Sequence, residues 1–250
     1  MASEISSLLR ALALSAIVLA GFSAGTLSWN ATAAEQDTEL GPIFLLSLGG
    51  KLYDNAWTIL DQRPPEGRNP ALADMSSIPT RETWRCVTCH GWDYSGVEIN
   101  GTRFPGLRDL VDSNPDLIKQ RILAAEHPFP ANELPDLSVD LLAIFISNGQ
   151  YRRADFIDEA GNALGNPEFG RDVFEGACIS CHQLDGRRFL RGERGDRSSL
   201  GWVARNRPTQ ALHKIVNGVP AAEMLSLRFL PDEQIADVLA YLQTLDPAEQ

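Results

Sequence analysis

Cys86-Val87-Thr88-Cys89-His90 and Cys178-Ile179-Ser180-Cys181-His182 repeat one arrangement: two thiols three positions apart, with an imidazole directly after the second. The two copies use all four cysteines and two of the four histidines, and they lie 92 positions apart. Paired thiols can hold a metal, form a redox disulfide or add to the vinyl groups of a porphyrin. A four-cysteine zinc site joins its pairs by a spacer of roughly 15–20 residues, far shorter than the separation in this chain. A thioredoxin-like pair needs a βαβ context, and no run of β-branched strand residues surrounds either motif. Cys-x-x-Cys-His is the attachment signature of c-type haem, in which the histidine reaches the iron from the proximal side. The expectation is therefore two covalently bound c-type haems (iron), on Cys86 and Cys89 and on Cys178 and Cys181, with His90 and His182 as metal ligands.

Helices must position these motifs. Asn166-Pro167 opens a helix over Glu168 to Ala177 that runs into the second motif. A closing helix starts around Pro231, with Asp232 and Glu233 complementing its N-terminal dipole. Its Ile235, Val238, Leu239 and Leu242 fall at i, i+3, i+4 and i+7, an amphipathic stripe. Between them lie turn-rich residues, Gly186 to Pro208, and a short helix near Thr209 to Val216. In the first half a helix beginning at Leu134-Pro135-Asp136 places Val139, Leu142, Phe145 and Ile146 against Ile235, Val238, Tyr241 and Leu242 at an offset of 96. That offset is close to the 92 between the motifs, so the halves read as tandem copies. Gly49-Gly50-Lys51-Leu52-Tyr53, in a helix running to Leu60, parallels Gly170-Arg171-Asp172-Val173-Phe174, and a proline- and charge-rich insertion, Asp61 to Glu82, separates it from Cys86.

With these residues in view the chain resembles the class I cytochrome c family over roughly residues 45–148 and 166–246. That family packs an N-terminal helix bearing a glycine and a nearby aromatic against an aromatic of its C-terminal helix. Gly170, Phe174 and Tyr241 fit the pattern, and Gly50, Tyr53 and Phe145 fit it more loosely. The stretch Thr83-Trp84-Arg85-Cys86…Gly91-Trp92-Asp93-Tyr94 is similar to a subgroup of multihaem electron carriers. The resemblance implies an all-α fold of two tandem helical domains. The first is residues 35–150, with an N-terminal extension and the insertion at 61–82; the second is 166–250, after a linker at 151–165.

A second axial ligand is a main lever on haem potential. Met224 follows Asn217-Gly218-Val219-Pro220 and precedes the final helix by a short loop, where the resemblance puts the ligand methionine. The equivalent loop of the first half, Glu126-His127-Pro128-Phe129-Pro130, has no methionine, and the offset of 96 sets Met224 on Pro128. His127, one residue away, is the expected sixth ligand of the first iron; ligation by Met75 or an open position are the alternatives. A bis-His first haem would have the lower potential and a His/Met second haem the higher one. His213 reads as a surface or propionate-side residue. Seven arginines against Glu193 and Asp196 between Arg187 and Arg207 form a local surplus of +5, suited to haem propionates or to steering an anionic partner, with Trp202 packing on a haem edge.

Residues 1–34 read as a targeting segment: Arg10, then no charge from Ala11 to Ala34, with Ala31-Thr32-Ala33 a small-x-small cleavage site. Cleavage near Ala33 would release the body to the periplasm or its equivalent, and an uncleaved segment would keep membrane contact. The net charge of −11 argues against nucleic acid and favours cationic patches on protein partners. The expected function is one-electron relay between a redox-protein donor and acceptor, rather than catalysis. The alternatives are a dihaem oxidoreductase with an open first haem and a small inorganic substrate, or an electron-accepting subunit of a dehydrogenase or membrane respiratory complex. In the last case residues Glu35 to Glu82, with Ile43 to Leu48 and Trp57, would be the docking surface.

Overall fold

Pro42 opens the first long helix, α1 (Pro42–Ile59), at a position whose N–H has no helical partner to lose. Asn55 breaks its regularity with φ −159° and ψ 91°. The Asn55 side chain accepts from the Thr58 N–H at 3.2 Å, so the last turn restarts on its own cap. The computed structural model describes residues 41–129, 134–189 and 199–246. The expected targeting segment and Arg191, Arg194 and Arg197 lie outside the described residues.

After α1 the insertion at 61–82 carries a 3₁₀ turn at Pro70–Leu72, and a second 3₁₀ segment, Thr80–Trp84, leads out of it to the first motif. It packs inward: Leu72 and Met75 are buried, and Arg68 donates to the carbonyls of Met75 and Ile78 at 2.9 and 2.8 Å. The first motif forms a short helix, α2 (Cys86–His90). A hairpin of β1 (Val97–Ile99) and β2 (Thr102–Phe104) follows, paired Val97 with Phe104. Its turn is Asn100-Gly101 with both φ positive, 49° and 79°, the combination that matches the twist of a two-residue hairpin loop. This small sheet departs from the all-α expectation, and α3 (Pro115–Ile122), capped by the Asn114 side chain, is a helix the repeat pattern does not include. The first half closes with α4 (Asp136–Asn148).

The second half contains α5 (Pro167–Ala177), α6 (Ile179–His182), α7 (Leu200–Asn206), α8 (Pro208–Asn217) and α9 (Asp232–Thr244). The helices expected at 168–177, 209–216 and from 231 are α5, α8 and α9, each within a residue or so.

Two helix crossings organise the halves in the same way. α5 crosses α9 at Gly170, where an added Cβ would stand 1.9 Å from the Asp237 carbonyl oxygen, and Phe174 meets Tyr241 with ring centres 5.3 Å apart. α1 crosses α4 at Gly49, whose Cβ would stand 2.5 Å from both the Leu141 oxygen and the Phe145 Cβ, with Tyr53 and Phe145 at 5.7 Å. The glycine of the first crossing is therefore Gly49, not Gly50. Gly50 lies against the Asn217 side chain of the second half, 2.3 Å from a hypothetical Cβ.

That displacement has a cause: α1 also packs on α8. Ser47 Oγ donates to the Asn217 carbonyl at 2.8 Å, and Arg228 reaches from the second half to the Gly149 carbonyl at 2.6 Å. Buried residues of both halves, Leu52, Tyr53 and Phe145 with Leu212, Ile215 and Leu239, belong to one hydrophobic core. The segment 151–165 that joins the halves is packed as well, with Tyr151, Phe156 and Ile157 buried.

Candidate haem-binding sites

α2 winds Cys86 and Cys89 onto one face, as residues three apart on a helix must lie, and delivers His90 at its end. All four cysteines carry free thiols. Burial pushes the Cys86 thiol up to about 12, helped by Cys89, and the Cys89 thiol to about 11. Burial raises Cys178 too. Among the described residues no three or more His, Cys, Asp or Glu side chains gather as a metal cage, so the two cysteine pairs do not meet.

His90 is 9 % exposed, and its Nδ1 lies 2.8 Å from the Pro105 carbonyl oxygen. A carbonyl only accepts, so Nδ1 carries the hydrogen and Nε2 keeps its lone pair, the form that binds a metal. Burial holds His90 below its ordinary value, against the pull of the Pro105 bond, and so favours the neutral ring. Opposite it, His127 Nδ1 lies 2.9 Å from the Arg121 carbonyl, which fixes the same tautomer. The two ring centres are 5.9 Å apart. A first-row metal sits about 2 Å from an imidazole nitrogen, so rings this close could share one iron through their Nε2 atoms. The residues present thus fit an iron held between them.

Phe129 secures the distal loop. Its ring stacks parallel to His127 at 6.3 Å and packs near Trp57 and Trp84 at 6.3 and 6.2 Å. Trp57 is 3 % exposed and donates through Nε1 to the Trp84 carbonyl at 3.1 Å. It is a core residue supporting this loop, not part of a docking surface. Of the suggested docking stretch, Ile43 and Phe44 are exposed, and residues 35–40 lie outside the described ones.

The second motif borders a cavity of about 1080 Å³, at the upper end of the range for small-molecule and cofactor sites. Cys178, Cys181, His182 and Met224 all line it, with Phe174, Val203, Ile215, Leu227 and Leu242 among the apolar walls. Burial lowers the His182 imidazole, again favouring the ligand form. This donor set, two thiols with an imidazole and a thioether across a largely apolar cavity, fits a haem of the expected kind.

First-half side chains complete the cavity: Asp54, Trp57, Glu82 and Arg85 line it. Asp54 accepts from Arg85 and from Lys214 Nζ, the latter at 2.7 Å. Burial alone would raise the Asp54 carboxyl, but Lys214 and Arg85 hold it below the ordinary range. The repeat pattern pointed to none of these residues, because the contact is between the copies. One signal was available: an aspartate three positions after a lysine and next to an aromatic in an otherwise apolar helix, Lys51-Leu52-Tyr53-Asp54.

His213 is neither a surface nor a propionate-side residue. It is 0 % exposed, with Nδ1 3.0 Å from the Tyr94 hydroxyl and Nε2 3.0 Å from the Gly50 carbonyl, so both nitrogens are engaged inside the α1–α8 contact. Trp202 is not among the residues lining the cavity; the Arg207 guanidinium covers its ring at 5.2 Å. Of the basic run, Arg205 Nε donates to the Gln243 carbonyl at 2.6 Å. Met75 stays in the packing of the insertion, 6 % exposed.

No curated protein matches the chain. Residues 168–246, from α5 through α9, match the family model for Cytochrome c. The matched stretch begins at the glycine-bearing helix, contains Cys178, Cys181, His182 and Met224, and ends just beyond the last helix. The chain thus carries a cytochrome c domain at 168–246, which implies a covalently bound c-type haem with its iron and a part in electron transfer.

Proposed function

We propose that the chain is a dihaem c-type cytochrome that relays single electrons between two protein partners. Its first haem is attached at Cys86 and Cys89 and ligated by His90 and His127. Its second is attached at Cys178 and Cys181 and ligated by His182 and Met224. The first is the lower-potential site, because two imidazoles favour ferric iron more than an imidazole and a thioether do, so electrons run from the first haem to the second. Residues 1–34 direct export to the periplasm, and the donor and acceptor are redox proteins or a dehydrogenase or respiratory complex.

The observation that carries the relay is a shared wall. Arg85 lines the second cavity, and the next residue, Cys86, is an attachment thiol of the first site; consecutive Cα atoms stand only about 3.8 Å apart. A haem attached at Cys86 and a second haem in the cavity that Arg85 lines would thus approach each other along this wall, which supports direct electron exchange. The His90–His127 separation favours ligation at the first iron over an open position with His127 as an acid–base group.

Redox titration of the exported holoprotein, followed at the haem absorption bands, tests this. Two haem masses per chain and two separate one-electron waves are expected, with no carbon monoxide binding at either ferrous iron. A single haem, or two coincident midpoint potentials, would refute it.

A further inference from the structure

The wall between the two sites is charged, which is a costly choice for so buried a place. The Asp54 side chain is 2 % exposed, and those of Arg85 and Lys214 are 17 % and 24 % exposed. Arg85 bonds the Asp54 Oδ1 and Glu82, and its Nε donates to the Asp54 carbonyl at 2.6 Å. Lys214 holds Oδ2 at 2.7 Å. Asp54, Glu82, Arg85 and Lys214 all line the second cavity. The guanidinium and the ammonium also stand 5.7 and 5.3 Å from the centre of the Trp92 ring, two residues beyond His90. The cluster therefore joins α1, the residue before α2, and α8; it lines the second cavity and adjoins the first motif through Arg85, next to Cys86, and through the Trp92 ring.

A buried ion cluster contributes little net stability compared with apolar packing. Its field is another matter, because charges separated by protein rather than water are weakly screened. Each iron changes charge by one unit as it takes or gives an electron, so fixed charges in this wall act on both oxidation states unequally.

We infer that Asp54 is a positioning residue for electron transfer: it fixes Arg85 and Lys214 in the wall between the two haems, and the resulting charge arrangement sets both midpoint potentials. This rests on the two-haem reading.

The test is spectropotentiometric titration of the holoprotein in wild type, Asp54→Asn, Lys214→Gln and the double variant. Removing the carboxylate charge makes ferric iron less favourable, so Asp54→Asn raises both midpoints. Lys214→Gln removes a cation and lowers them, most at the higher-potential haem. The double variant, with the charges again matched, returns toward the wild-type values. A purely packing role predicts lower thermal stability with potentials that stay put or move the same way in both single variants, since a loosened pocket admits water in either case. Either of those results overturns the inference. Haem mass per chain separates the two levels: one haem in the wild type removes the relay and this inference with it, whereas two haems with unmoved potentials remove only the inference.

Discussion

His213 makes stability depend on pH in a way that can be worked out from its surroundings. The Gly50 carbonyl can only accept, so Nε2 carries the hydrogen and Nδ1 accepts from the Tyr94 hydroxyl. The neutral ring satisfies both partners. Burial pushes the group down to about 4 from an ordinary 6.5, with Asp54 pulling the other way and Lys214 and Arg228 adding to the depression. An unfolded chain takes up this proton near 6.5, whereas the folded chain resists until about 4. As pH falls through that interval the unfolded state binds more protons and folding weakens; the contribution is whole above 6.5 and gone below 4. A gap of about 2.5 units at about 1.4 kcal/mol per unit gives roughly 3 kcal/mol. The variant to compare is His213→Gln, which keeps a donor and an acceptor but has no proton to gain. At pH 7 it should cost about 1–3 kcal/mol, the usual penalty for imperfectly replaced buried hydrogen bonds. Between pH 7 and pH 4 the wild type should lose about 3 kcal/mol more than the variant, and the comparison cancels carboxylates common to both proteins. Guanidinium unfolding followed by far-ultraviolet circular dichroism gives the two curves. Curves that run parallel across this range would refute the argument.

Two further substitutions address the ligands and the helix crossing. His127→Ala should change the oxidised spectrum of one haem only and open that iron to carbon monoxide, while an unchanged two-haem spectrum would remove His127 from the coordination sphere. Gly170→Ala sets a helix-propensity gain of about 1 kcal/mol against a Cβ placed 1.9 Å from the Asp237 carbonyl oxygen. Overpacking of about 1–3 kcal/mol should win, so the thermal midpoint falls. Gly176→Ala, on the same helix with nothing within 4 Å of the added carbon, should raise the midpoint instead; equal effects at the two positions would contradict the crossing.

The parts of the fold that could be read ahead share one property: each is written in a local pattern. The offset of 96 identified α4 and α9 and their inward faces, and Val139, Leu142, Phe145 and Ile146 are buried as Ile235, Val238 and Leu242 are. Tyr241 is the exception, only half-buried because its ring lies along Phe174 at the edge of the crossing. Asn100-Gly101 is a legible hairpin signal, but a local one that lies outside the repeat. α3 gave a weaker one, since it buries only Ile118 and Ile122 and leaves Leu117 in solvent. His127 stands out where the two loops match in sequence, and the structure adds the Arg121 carbonyl that fixes its ring and the parallel Phe129 ring beside it.

What a repeat cannot announce is the contact between its copies. Each half alone would ask for a glycine, an aromatic and a stripe on its last helix. Packing α1 onto α8 adds demands that neither half makes by itself. Gly50 must be small because Asn217 lies against it, His213 must be neutral because the Gly50 carbonyl and Tyr94 enclose it, and Asp54 must be charged because Arg85 and Lys214 converge on it. The partners in these contacts are between 31 and 167 positions apart, beyond the reach of any helical period. Three of them, Asp54, Arg85 and Lys214, also line the cavity beside the second motif, and most of these contacts are polar where the repeat is apolar. Two copies of one electron-transfer unit would have no preferred direction if nothing distinguished them. In the proposed relay, His127 in place of a methionine provides that difference, while the charged wall acts on both irons together. The direction of electron flow in that relay thus rests on a position at which the two halves fail to match, the loop that carries His127.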